Sequence, residues 1–466
     1  MPPKFGTSGL RGLVVEMTPG LISDHVVAFL AAFPDIRELY IGRDLRPSSP
    51  DIAETVAQAA LGAGVNVVDC GALPTPALAL TSMAAGGGAI MVTGSHIPAD
   101  RNGLKFYTPG GEISKADEAS ILAGLGKAAG AVPTPGRRTI DSQAGARFVA
   151  RYLEGFGSDA LKGLRIGLYA HSSVGRDLLA ETLKGLGADI IELARSKTFI
   201  PVDTEAVDDA TRALLLAWAG AHTLDALVST DGDADRPMLA DERGAIVPGD
   251  LLGQITSAAL GVETLVTPVS SNSGAEAGGR FQRVIRTRIG SPYVIAGMEA
   301  ASGRVAGYEA NGGYLLGFAA DGPAGKIAPL WTRDCFLPLI VPLTLARHKP
   351  LSGIRASEPG GVTRTSRLAN TPTALSAILT GDLSTSPEAP QAFLAAFGEI
   401  LSKTDFTDGV RMQTASGKVM HIRPSGNAPE LRLYVEAETA RAADAFLKAG
   451  LEILSQKISQ IRAAAK

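Results

Sequence analysis

Short apolar runs alternate with longer segments of helical periodicity along most of the chain, a pattern typical of parallel strands joined by crossover helices. The first such unit predicts a strand at residues 39–42, a helix at about 49–64 and a strand at 65–70. Any α/β protein contains such units, but their repetition with similar serine-containing loops predicts three similar α/β domains. The second and third units predict strands at 164–169 and 189–193 around a helix at 175–186, and strands at 264–269 and 284–287 around a helix ending near 281.

Beyond Gly361 the pattern changes to antiparallel strands and amphipathic helices, which favours an α+β domain. The predicted elements are a helix near 387–401, strands at 410–413, 419–423 and 431–436, and a long helix at 440–462. Pro- and Gly-rich segments at 131–138, 244–250 and 349–361 are typical of connections between folded parts. The predicted domains are therefore 1–138, 139–246, 247–352 and 353–466.

Composition narrows the class of protein. The chain has 466 residues, of which 45% are hydrophobic and 20% charged, and this balance excludes bulk disorder. A net charge of −3 does not favour binding to nucleic acid or an anionic membrane. The two cysteines, Cys70 and Cys335, and the scattered histidines predict neither a disulfide framework nor a histidine zinc site. No apolar run approaches the about 20 residues that span a bilayer, so we expect a soluble, cytoplasmic protein.

The first segment with candidate chemistry reads GAIMVTGSHIPADRNGLKFY. Its predicted strand, residues 89–93, places Ser95 and His96 at the carboxyl end, where parallel sheets commonly carry reactive groups. Lys105 lies on the next predicted strand. Ser95 is therefore a candidate nucleophile, although the segment lacks the G-x-S-x-G elbow of hydrolases. An ordinary turn serine is the alternative.

A second segment, LDALVSTDGDADRPMLADE, carries Asp231, Asp233 and Asp235 directly after a predicted strand at 226–229. In an extended chain this alternation places the three carboxylates on one side. Carboxylates so crowded repel one another unless a cation lies among them, and oxygen ligands favour Mg²⁺ or Ca²⁺. An EF-hand is excluded because Arg236 takes the place of its invariant glycine, and this arginine is instead a candidate for binding a phosphate. A solvated acidic turn is the alternative.

Two further segments are candidates for ligand binding. In HIRPSGNAPELRLYVEA, a loop between two apolar strands offers backbone N–H groups, short polar side chains and arginine to an anion, although a plain hairpin turn explains it almost as well. In GYEANGGYLLG, Glu309 and Asn311 lie in a glycine-bounded loop and suit sugar hydroxyls. The Gly-rich nucleotide signatures are absent from the sequence. The candidate anion-binding residues are Arg423, Ser425, Gly426, Asn427 and Arg432.

Together these segments resemble the α-D-phosphohexomutase family, and the resemblance extends over essentially the whole chain in order. KFGTSGLRG is similar to the family's N-terminal motif, TGSHIP to its phosphoserine loop and DGDADR to its metal loop. EANGG resembles the sugar loop and RPSGN the phosphate loop. The resemblance implies four domains around a central cleft. These would carry the phosphoserine loop (1–138), the metal-binding loop (139–246), the sugar-binding loop (247–352) and a phosphate-binding lid (353–466).

The resemblance also implies how the site residues act. Ser95 would carry the transferring phosphoryl group, surrounded by Arg11, His96 and Lys105. Phosphoserine and the three aspartates would hold Mg²⁺, while the sugar loop would bind hydroxyls and the phosphate loop the non-reacting phosphate. Phosphoserine would phosphorylate a hexose phosphate, and the resulting hexose 1,6-bisphosphate, which is also the expected activator, would turn end for end. Neutralisation of spread negative charge by Mg²⁺, arginine and lysine suits such a transfer.

Several positions depart from the family's usual residues. Gly313 stands where several members carry a histidine proposed as an acid/base group, so that role is unassigned here. Gly94 and Ile97 replace the alanine and asparagine of many phosphoserine loops. Arg288 stands near the place of a lysine that is the family's candidate base. Because arginine stays protonated, we expect Arg288 to stabilise charge rather than to act as a base.

Among family members, the motif variants resemble most the bacterial phosphomannomutases that feed GDP-mannose and polysaccharide synthesis. We therefore expect interconversion of mannose 6-phosphate and mannose 1-phosphate, with a glucose-specific or dual-specificity mutase as the alternative. A serine phosphohydrolase would not need a separate phosphate loop and lid. A non-catalytic sugar-phosphate sensor would not need Ser95 and three aspartates. The expected partner is a small hexose phosphate, and the sequence makes no prediction of oligomeric state.

Overall fold

The computed structural model describes residues 3–6, 9–127, 134–425 and 429–464. The chain divides into two compact units. One comprises Met1–Leu265 and Ser291–Ser357, and the other comprises Val266–Gly290 and Glu358–Lys466. The four-domain division expected from the sequence stays a prediction. In the described part of the chain, no helix is long and apolar enough to cross a membrane.

A mixed eight-stranded sheet forms the N-terminal part of the first unit. Its strands are β1 (Lys4–Phe5), β2 (Leu10–Leu13), β3 (Glu38–Arg43), β4 (Asn66–Ala72), β5 (Gly88–Val92), β6 (Arg101–Thr108), β7 (Gly111–Glu112) and β8 (Arg138–Ile140). Its helices are α1 (Pro19–Ala32), α2 (Ser49–Gly62), α3 (Thr75–Ala84) and α4 (Lys115–Gly124), with a short 3-10 turn at Val14–Glu16. The order is β1-β2-β6-β5-β3-β4-β8, with β7 paired to β6.

Local sequence explains why this first sheet and its helices form. The Thr18 side chain accepts a hydrogen bond from Leu21 N, and Pro19 begins α1, both typical of a helix N-terminus. β3 pairs in parallel with β4 and with β5, which confirms the first predicted strand–helix–strand unit. β6 returns antiparallel to β5 and places Lys105 opposite Met91. Lys105 therefore lies in the sheet next to the end of β5, close to the loop that follows this strand.

The second sheet follows in the same unit and carries the acidic segment between two of its strands. Its strands are β9 (Arg165–Tyr169), β10 (Asp189–Leu193), β11 (Ala226–Thr230), β12 (Pro237–Ala240) and β13 (Ile246–Val247), and its helices are α5 (Ala144–Phe156), α6 (Arg176–Gly185) and α7 (Asp209–His222). The order is β10-β9-β11-β12-β13. β9 pairs in parallel with β10, as predicted, and also with β11, whereas β11 and β12 form an antiparallel hairpin. Thr230 pairs with Pro237, so residues 231–236 form the hairpin loop.

A third group of strands and helices completes the first unit and begins the second. It contains β14 (Thr264–Pro268), β15 (Arg283–Thr287), β16 (Val305–Tyr308), β17 (Tyr314–Leu316), β18 (Ala320–Asp321), β19 (Lys326–Ile327) and β20 (Leu330–Asp334), with α8 (Gly249–Ala259), α9 (Gly274–Ala277), α10 (Ser291–Glu299), α11 (Leu337–Ala346) and α12 (Leu351–Ser357). β17 lies antiparallel between β16 and β20. The helix predicted to end near 281 is wrong in length, because the chain leaves the helical conformation at Gly279, where φ is +58°.

The second unit is built on an antiparallel sheet, which confirms the predicted α+β region. Its elements are β21 (Val362–Leu368), β22 (Leu401–Asp405), β23 (Val410–Thr414), β24 (Val419–Pro424), β25 (Leu431–Ala437), α13 (Thr373–Asp382), α14 (Glu388–Ala395) and α15 (Ala440–Ala464). The order is β21-β25-β24-β23-β22. The sequence did not indicate β21, α13 or β22. The helix predicted near 387–401 is too long, because Gly398 adopts φ +69° and Leu401 already begins β22.

One buried carboxylate joins two parts of the second unit. Glu436 on β25 accepts hydrogen bonds from Ser273 N at 3.0 Å and from Ser273 Oγ and Gly361 N at 2.7 Å each. This glutamate is 3% exposed. The segment Val266–Gly290 is thereby tied to the C-terminal sheet rather than only to its sequence neighbours.

Candidate active site

The serine loop follows β5 and holds Ser95 in an uncommon backbone conformation. Ser95 adopts φ +54°, a left-handed value that a residue with a side chain keeps only when its surroundings impose it. The Thr93 hydroxyl accepts a hydrogen bond from Ser95 N at 2.8 Å. Ser95 Oγ donates to Asp231 Oδ2 at 2.6 Å and lies 3.3 Å from His96 Nδ1. The loop therefore directs the hydroxyl towards the acidic hairpin.

Arg46 fixes the serine loop from inside the protein. Its side chain is fully buried and donates to the Asp44 carboxylate at 3.1 Å. Gly94 is needed here, because a Cβ at this position would lie 2.7 Å from Arg46 Cζ. The guanidinium also donates to four carbonyl oxygens of the serine loop, those of Ser95 (2.9 Å), Ile97 (2.6 Å), Pro98 (2.7 Å) and Arg101 (3.0 Å). These bonds fix the path of the backbone that carries Ser95.

The acidic hairpin brings its three carboxylates together, although not in the way the alternation predicts. Asp231, Asp233 and Asp235 are each fully buried, and one oxygen of each lies within 4.8 Å of the others. The predicted extended segment is wrong: the chain turns tightly at residues 232–234, and Ala234 adopts φ +55°. Backbone N–H groups of Asp235 and Arg236 both donate to Asp231 Oδ1 at 3.2 Å. A tight turn, rather than an extended chain with alternating side chains, therefore brings the three carboxylates together.

Lys105 and Thr75 occupy one side of this carboxylate cluster. Lys105 Nζ lies 2.6 Å from Asp233 Oδ2 and 2.6 Å from Asp235 Oδ2. Thr75 Oγ1 donates to Asp233 Oδ2 at 2.5 Å, and Thr75 N donates to Asp233 O at 2.9 Å. All three contacts to these side chains use Oδ2, and the buried Oδ1 atoms of Asp233 and Asp235 have no hydrogen-bond partner among the described residues.

These orphaned oxygens make the cluster fit a metal ion. A buried carboxylate oxygen without a partner is costly unless a cation takes it. The two Oδ1 atoms, together with the oxygen that Asp231 shares with the Ser95 hydroxyl, form an all-oxygen donor set. Such a set suits a hard cation such as Mg²⁺. The carboxylate triad could therefore hold the metal that the sequence predicts.

The charges of the triad are strongly perturbed. Burial and the neighbouring Asp233 and Asp235 carboxylates raise the pKa of Asp231 well above its ordinary value. Burial also opposes ionisation of Asp233, but the charge and hydrogen bond of Lys105 outweigh it and lower the pKa of that carboxyl. For Asp235 the opposing effect of burial is outweighed chiefly by Arg333, and its pKa is lowered. Perturbations of this kind are concentrated at functional sites.

Arg11, His96 and Arg236 lie close to the same cluster. Arg236 is buried, with Nε 3.8 Å from Asp235 Oδ1. Burial and the charge of Arg236 lower the pKa of Arg11 to about 10, so this arginine remains a cation at neutral pH. Burial, Arg236 and Arg11 together lower the pKa of His96 far below its ordinary value. His96 is therefore a neutral ring beside the Ser95 hydroxyl.

The sugar-loop glutamate is connected to the acidic hairpin by an arginine that the sequence did not single out. Glu309 is 4% exposed and accepts from Arg333 Nη1 at 2.9 Å, while Arg333 Nη2 donates to Asp235 Oδ2 at 2.7 Å. Asn311 Nδ2 lies 3.5 Å from Glu309 Oε2, and Asn311 Oδ1 accepts from Gly313 N at 3.0 Å. The predicted pair Glu309 and Asn311 therefore lies together in one loop.

The remaining predicted residues lie in the second unit, which is described by itself. Arg423 is 8% exposed, and its Nη1 donates to Asp408 Oδ2 at 3.0 Å. Ser425 is buried, and Ser425 N donates to Glu430 O at 2.9 Å. Arg288 is exposed, and its Nε donates to Thr407 O at 3.2 Å. Gly426 and Asn427 lie outside the described residues.

Three arginines stand side by side across the sheet of the second unit. Arg423 on β24 pairs with Arg432 on β25, and Arg432 pairs in turn with Arg367 on β21. Glu430 lies 3.3 Å from Arg367 and 3.7 Å from Arg432. Like charges at directly opposite positions repel, so this row is suited to binding an anion.

Sequence reasoning missed residues that contact the functional side chains: Arg46, Thr75 and Arg333 in the first unit, and Arg367 and Asp408 in the second. A usable signal existed for two of them. Arg46 follows Asp44 by two residues directly after a buried strand, and Arg333 and Asp334 form a charged pair of neighbours in a largely apolar segment. Charged residues in apolar surroundings are almost always paired when buried. Thr75, Arg367 and Asp408 carry no such signal, because their roles depend on neighbours that are distant in sequence.

Comparisons with known proteins agree with this geometry. Family models described as phosphoglucomutase/phosphomannomutase alpha/beta/alpha domain I, alpha/beta/alpha domain II and C-terminal domain match residues 2–129, 146–244 and 381–451. A phosphomannomutase of Sinorhizobium fredii is 45% identical, covering 98% of this chain and 100% of the relative. A phosphomannomutase of Salmonella muenchen is 40% identical, covering 98% and 96%.

A solved structure shows that the fold is shared more widely. A phosphoglucomutase/phosphomannomutase family protein from Burkholderia thailandensis superimposes with a TM-score of 0.77 at 19% identity, covering 98% of this chain and 97% of that one. Fold and site together define an isomerase that moves a phosphoryl group. The chain belongs to the phosphoglucomutase/phosphomannomutase family.

Proposed function

We propose that the protein interconverts mannose 6-phosphate and mannose 1-phosphate through a phosphoserine at Ser95 and a hexose 1,6-bisphosphate intermediate. One observation carries the proposal: the buried Ser95 hydroxyl donates to a carboxylate triad in which two oxygens accept no hydrogen bond from the described residues. Four cationic side chains surround this triad, those of Arg11, Lys105, Arg236 and Arg333. The 45% and 40% identity to two phosphomannomutases over nearly the whole chain supports mannose phosphate as the substrate. The reaction would prepare mannose 1-phosphate for GDP-mannose synthesis.

In this proposal the triad holds a metal ion against the phosphorylated serine. Asp231, Asp233 and Asp235 would bind Mg²⁺ together with an oxygen of the phosphate on Ser95. When bound, Mg²⁺ neutralises part of the negative charge that spreads over the phosphoryl oxygens. The backbone N–H groups of Asp235 and Arg236, which donate to Asp231 Oδ1, keep that carboxylate from turning away.

Cationic side chains would stabilise the remaining charge. Arg11 stays positive at neutral pH, and Lys105 is held at the triad by two short contacts. Neutral His96, 3.3 Å from Ser95 Oγ, would exchange a hydrogen bond with that oxygen as its phosphoryl group leaves or returns. Arg236 would contribute a further fixed charge at the phosphoryl group. Arg288, an exposed residue of the second unit, would stabilise negative charge rather than act as a base.

The sugar would be held by residues that do not take part in bond making. Glu309 and Asn311 would bind two ring hydroxyls, and the phosphate loop would bind the non-reacting phosphate. The Ser95–phosphate bond breaks as a hydroxyl oxygen of the hexose phosphate takes the phosphoryl group, and the hydroxyl proton passes to Ser95 Oγ. After the bisphosphate turns, the reverse transfer restores phosphoserine. The phosphate-loop residues are Arg423, Ser425, Gly426, Asn427 and Arg432.

The proposed reaction also implies an activator, a lid over the site and a cellular compartment. A hexose 1,6-bisphosphate would restore phosphoserine whenever the intermediate escapes, and would thus be an activator. The four predicted domains would each supply one loop, with the last acting as a lid that excludes water. We place the reaction in the cytoplasm, where the free thiols of Cys70 and Cys335 stay reduced.

Two other functions remain to be separated by experiment. A glucose-specific or dual-specificity mutase would use the same residues, since mannose and glucose phosphates differ at one hydroxyl. A serine phosphohydrolase would use Ser95 and the metal but would have no need of the arginine row of the second unit. That row favours a mutase, which must bind a second phosphate.

The test is turnover of mannose 1-phosphate, glucose 1-phosphate and glucosamine 1-phosphate, each with Mg²⁺ and a hexose 1,6-bisphosphate. We expect mannose 1-phosphate to be isomerised fastest. Comparable turnover of glucose 1-phosphate would make the protein a dual-specificity mutase. Release of inorganic phosphate without isomerisation would make it a hydrolase, and absence of turnover on all three would contradict the proposal.

A further inference from the structure

Arg333 contacts both the acidic hairpin (residues 231–236) and the sugar loop (residues 309–313), which are far apart in the sequence. It is carried by β20 and is 2% exposed. One arm of its guanidinium, Nη2, donates to Asp235 Oδ2 at 2.7 Å, and the other, Nη1, donates to Glu309 Oε2 at 2.9 Å. A planar guanidinium can engage two carboxylates in this way at a fixed spacing, whereas a single ammonium cannot.

The sugar loop is shaped to make room for this arginine. A Cβ at Gly313 would lie 2.7 Å from Arg333 Cδ and 2.8 Å from Arg333 Cγ. The methylene groups of Arg333 therefore fill the space that a side chain at position 313 would need. Since Gly313 N is bonded to Asn311 Oδ1 and Gly313 O accepts from Glu309 N, the glycine cannot easily shift away. Any larger residue here would displace Arg333 from Glu309.

The contact leaves one oxygen of Glu309 for a ligand. Among the described residues, both side-chain hydrogen bonds to this carboxylate, from Arg333 and from Asn311, end on Oε2. Oε1 is thereby the oxygen available to a sugar hydroxyl. A carboxylate held in one rotamer by a buried arginine binds a hydroxyl without first losing side-chain entropy.

We propose that Arg333 is a positioning residue for sugar binding: it fixes Glu309 through Oε2 and ties the sugar loop to the acidic hairpin through Asp235. The proposal rests on the proposed function, in which Glu309 binds ring hydroxyls. Arg333 itself need not touch the substrate. Its effect passes through Glu309, and this is what distinguishes a positioning role from a general contribution to stability.

The test is a double-substitution cycle read as binding of mannose 1-phosphate by calorimetry. All variants carry Ser95→Ala so that no turnover occurs. We expect Arg333→Met to weaken binding by about tenfold, and Arg333→Lys to weaken it similarly, because lysine keeps the charge but not the two-armed contact. In a Glu309→Gln background, Arg333→Met should change binding by less than about twofold, because the group through which it acts is altered.

A matched control separates this effect from the loss of any buried arginine. Arg151 is also buried and pairs with Asp334, the residue after Arg333, and it contacts neither Glu309 nor Asp235. Arg151→Met should leave sugar binding unchanged even if it lowers the melting temperature. If Arg333→Met does not fold, Arg333→Lys and the double variant Arg333→Met, Glu309→Gln, which leaves no unpaired carboxylate at position 309, still complete the comparison.

The outcomes separate the inference from the function on which it rests. Unchanged binding in Arg333→Met or Arg333→Lys, or an equal loss in the Glu309→Gln background, would overturn the positioning role while leaving the proposed function intact. Failure of the Ser95→Ala parent to bind any hexose phosphate would overturn both.

Discussion

The Ser95 hydroxyl donates a 2.6 Å hydrogen bond to Asp231 Oδ2, although the two residues are 136 positions apart in the chain. The bond joins the loop after β5 to the hairpin between β11 and β12. A phosphate placed on Ser95 would therefore lie directly at the carboxylate triad. In the proposed mechanism this single contact would give the serine, the metal and the phosphoryl group a common location, as transfer between phosphoserine and a sugar requires.

The serine loop should be sensitive to one added methyl group. In Gly94→Ala the new Cβ would lie 2.7 Å from Arg46 Cζ, and the guanidinium cannot withdraw without giving up its bonds to the loop carbonyls. We expect a loss of about 1–3 kcal/mol in the free energy of unfolding. We also expect kcat to fall by up to about 100-fold, since Ser95 would be displaced. Thermal unfolding and steady-state kinetics measure the two effects.

A second glycine provides the control for that prediction. Gly20 lies in α1, and a Cβ there would meet nothing within 4 Å. Gly20→Ala should leave kcat unchanged and should be neutral or slightly stabilising, as alanine is the better helix former. Equal behaviour of the two variants would contradict the role assigned to the Arg46 contact.

The affinity of the carboxylate triad for a metal ion should depend on Asp233, and a binding measurement without turnover can show this. Asp233→Asn removes a charge, and because Lys105 and Thr75 donate to Oδ2, the amide oxygen should stay with them and the amide nitrogen should replace Oδ1, which accepts no hydrogen bond from the described residues. We expect the affinity for Mn²⁺, used as a probe for Mg²⁺, to fall by more than about tenfold. Electron paramagnetic resonance of free Mn²⁺ measures this without turnover.

Asp334 offers a matched control for the metal measurement. It is equally buried but is bonded to Tyr152 and Arg151, away from the triad. Asp334→Asn should bind Mn²⁺ as the unaltered protein does. An unchanged titration in Asp233→Asn would count against the triad as the metal site.

Acid should destabilise the second unit through His421. This histidine is buried, its Nε2 contacts Asp408 O at 2.6 Å, and burial lowers its pKa to about 4. The unfolded chain takes up a proton near pH 6.5 and the folded chain only near pH 4, so stability is lost as the pH falls through this window. The contribution of this one group at pH 5 is about 2 kcal/mol.

The measurement compares thermal midpoints at pH 7 and pH 5. His421→Gln keeps a side-chain donor but cannot be protonated, so its midpoint should fall less than that of the unaltered protein. His348 is exposed, and His348→Gln should retain the full difference. A midpoint difference that His421→Gln leaves unchanged would rule out this histidine as the cause.

The structural elements that could be predicted from the sequence are those that depend on residues close to one another in the chain. Strands followed by glycine and polar loops were placed correctly, and with them Ser95 and the three aspartates, because each loop follows the carboxyl end of a strand. That β5 and β11 belong to two different sheets, whose loops meet, was not visible in the sequence. The alternation of Asp231, Asp233 and Asp235 predicted a cluster, but through an extended chain instead of the observed turn at Ala234. The right grouping thus followed from an incorrect local geometry.

The parts that could not be predicted depend on distant neighbours. Arg46 and Arg333 become meaningful only when the loop carbonyls and the two carboxylates that they bind are brought to them by the fold. Strand β21 has mixed burial and lacks a clear apolar alternation, so its pattern gave no signal. Helices α9 and α14 ended earlier than expected because glycines at 279 and 398 take positive φ values.

The most direct test of the account follows the phosphoryl group itself. The protein is labelled at Ser95 by exchange with ³²P-labelled hexose 1,6-bisphosphate and then mixed with unlabelled mannose 1-phosphate and Mg²⁺. We predict that the label leaves the protein in one turnover and appears in hexose phosphates, and that Ser95→Ala takes up none. Label that is released as inorganic phosphate, or that enters Ser95→Ala equally, would contradict the phosphoserine mechanism.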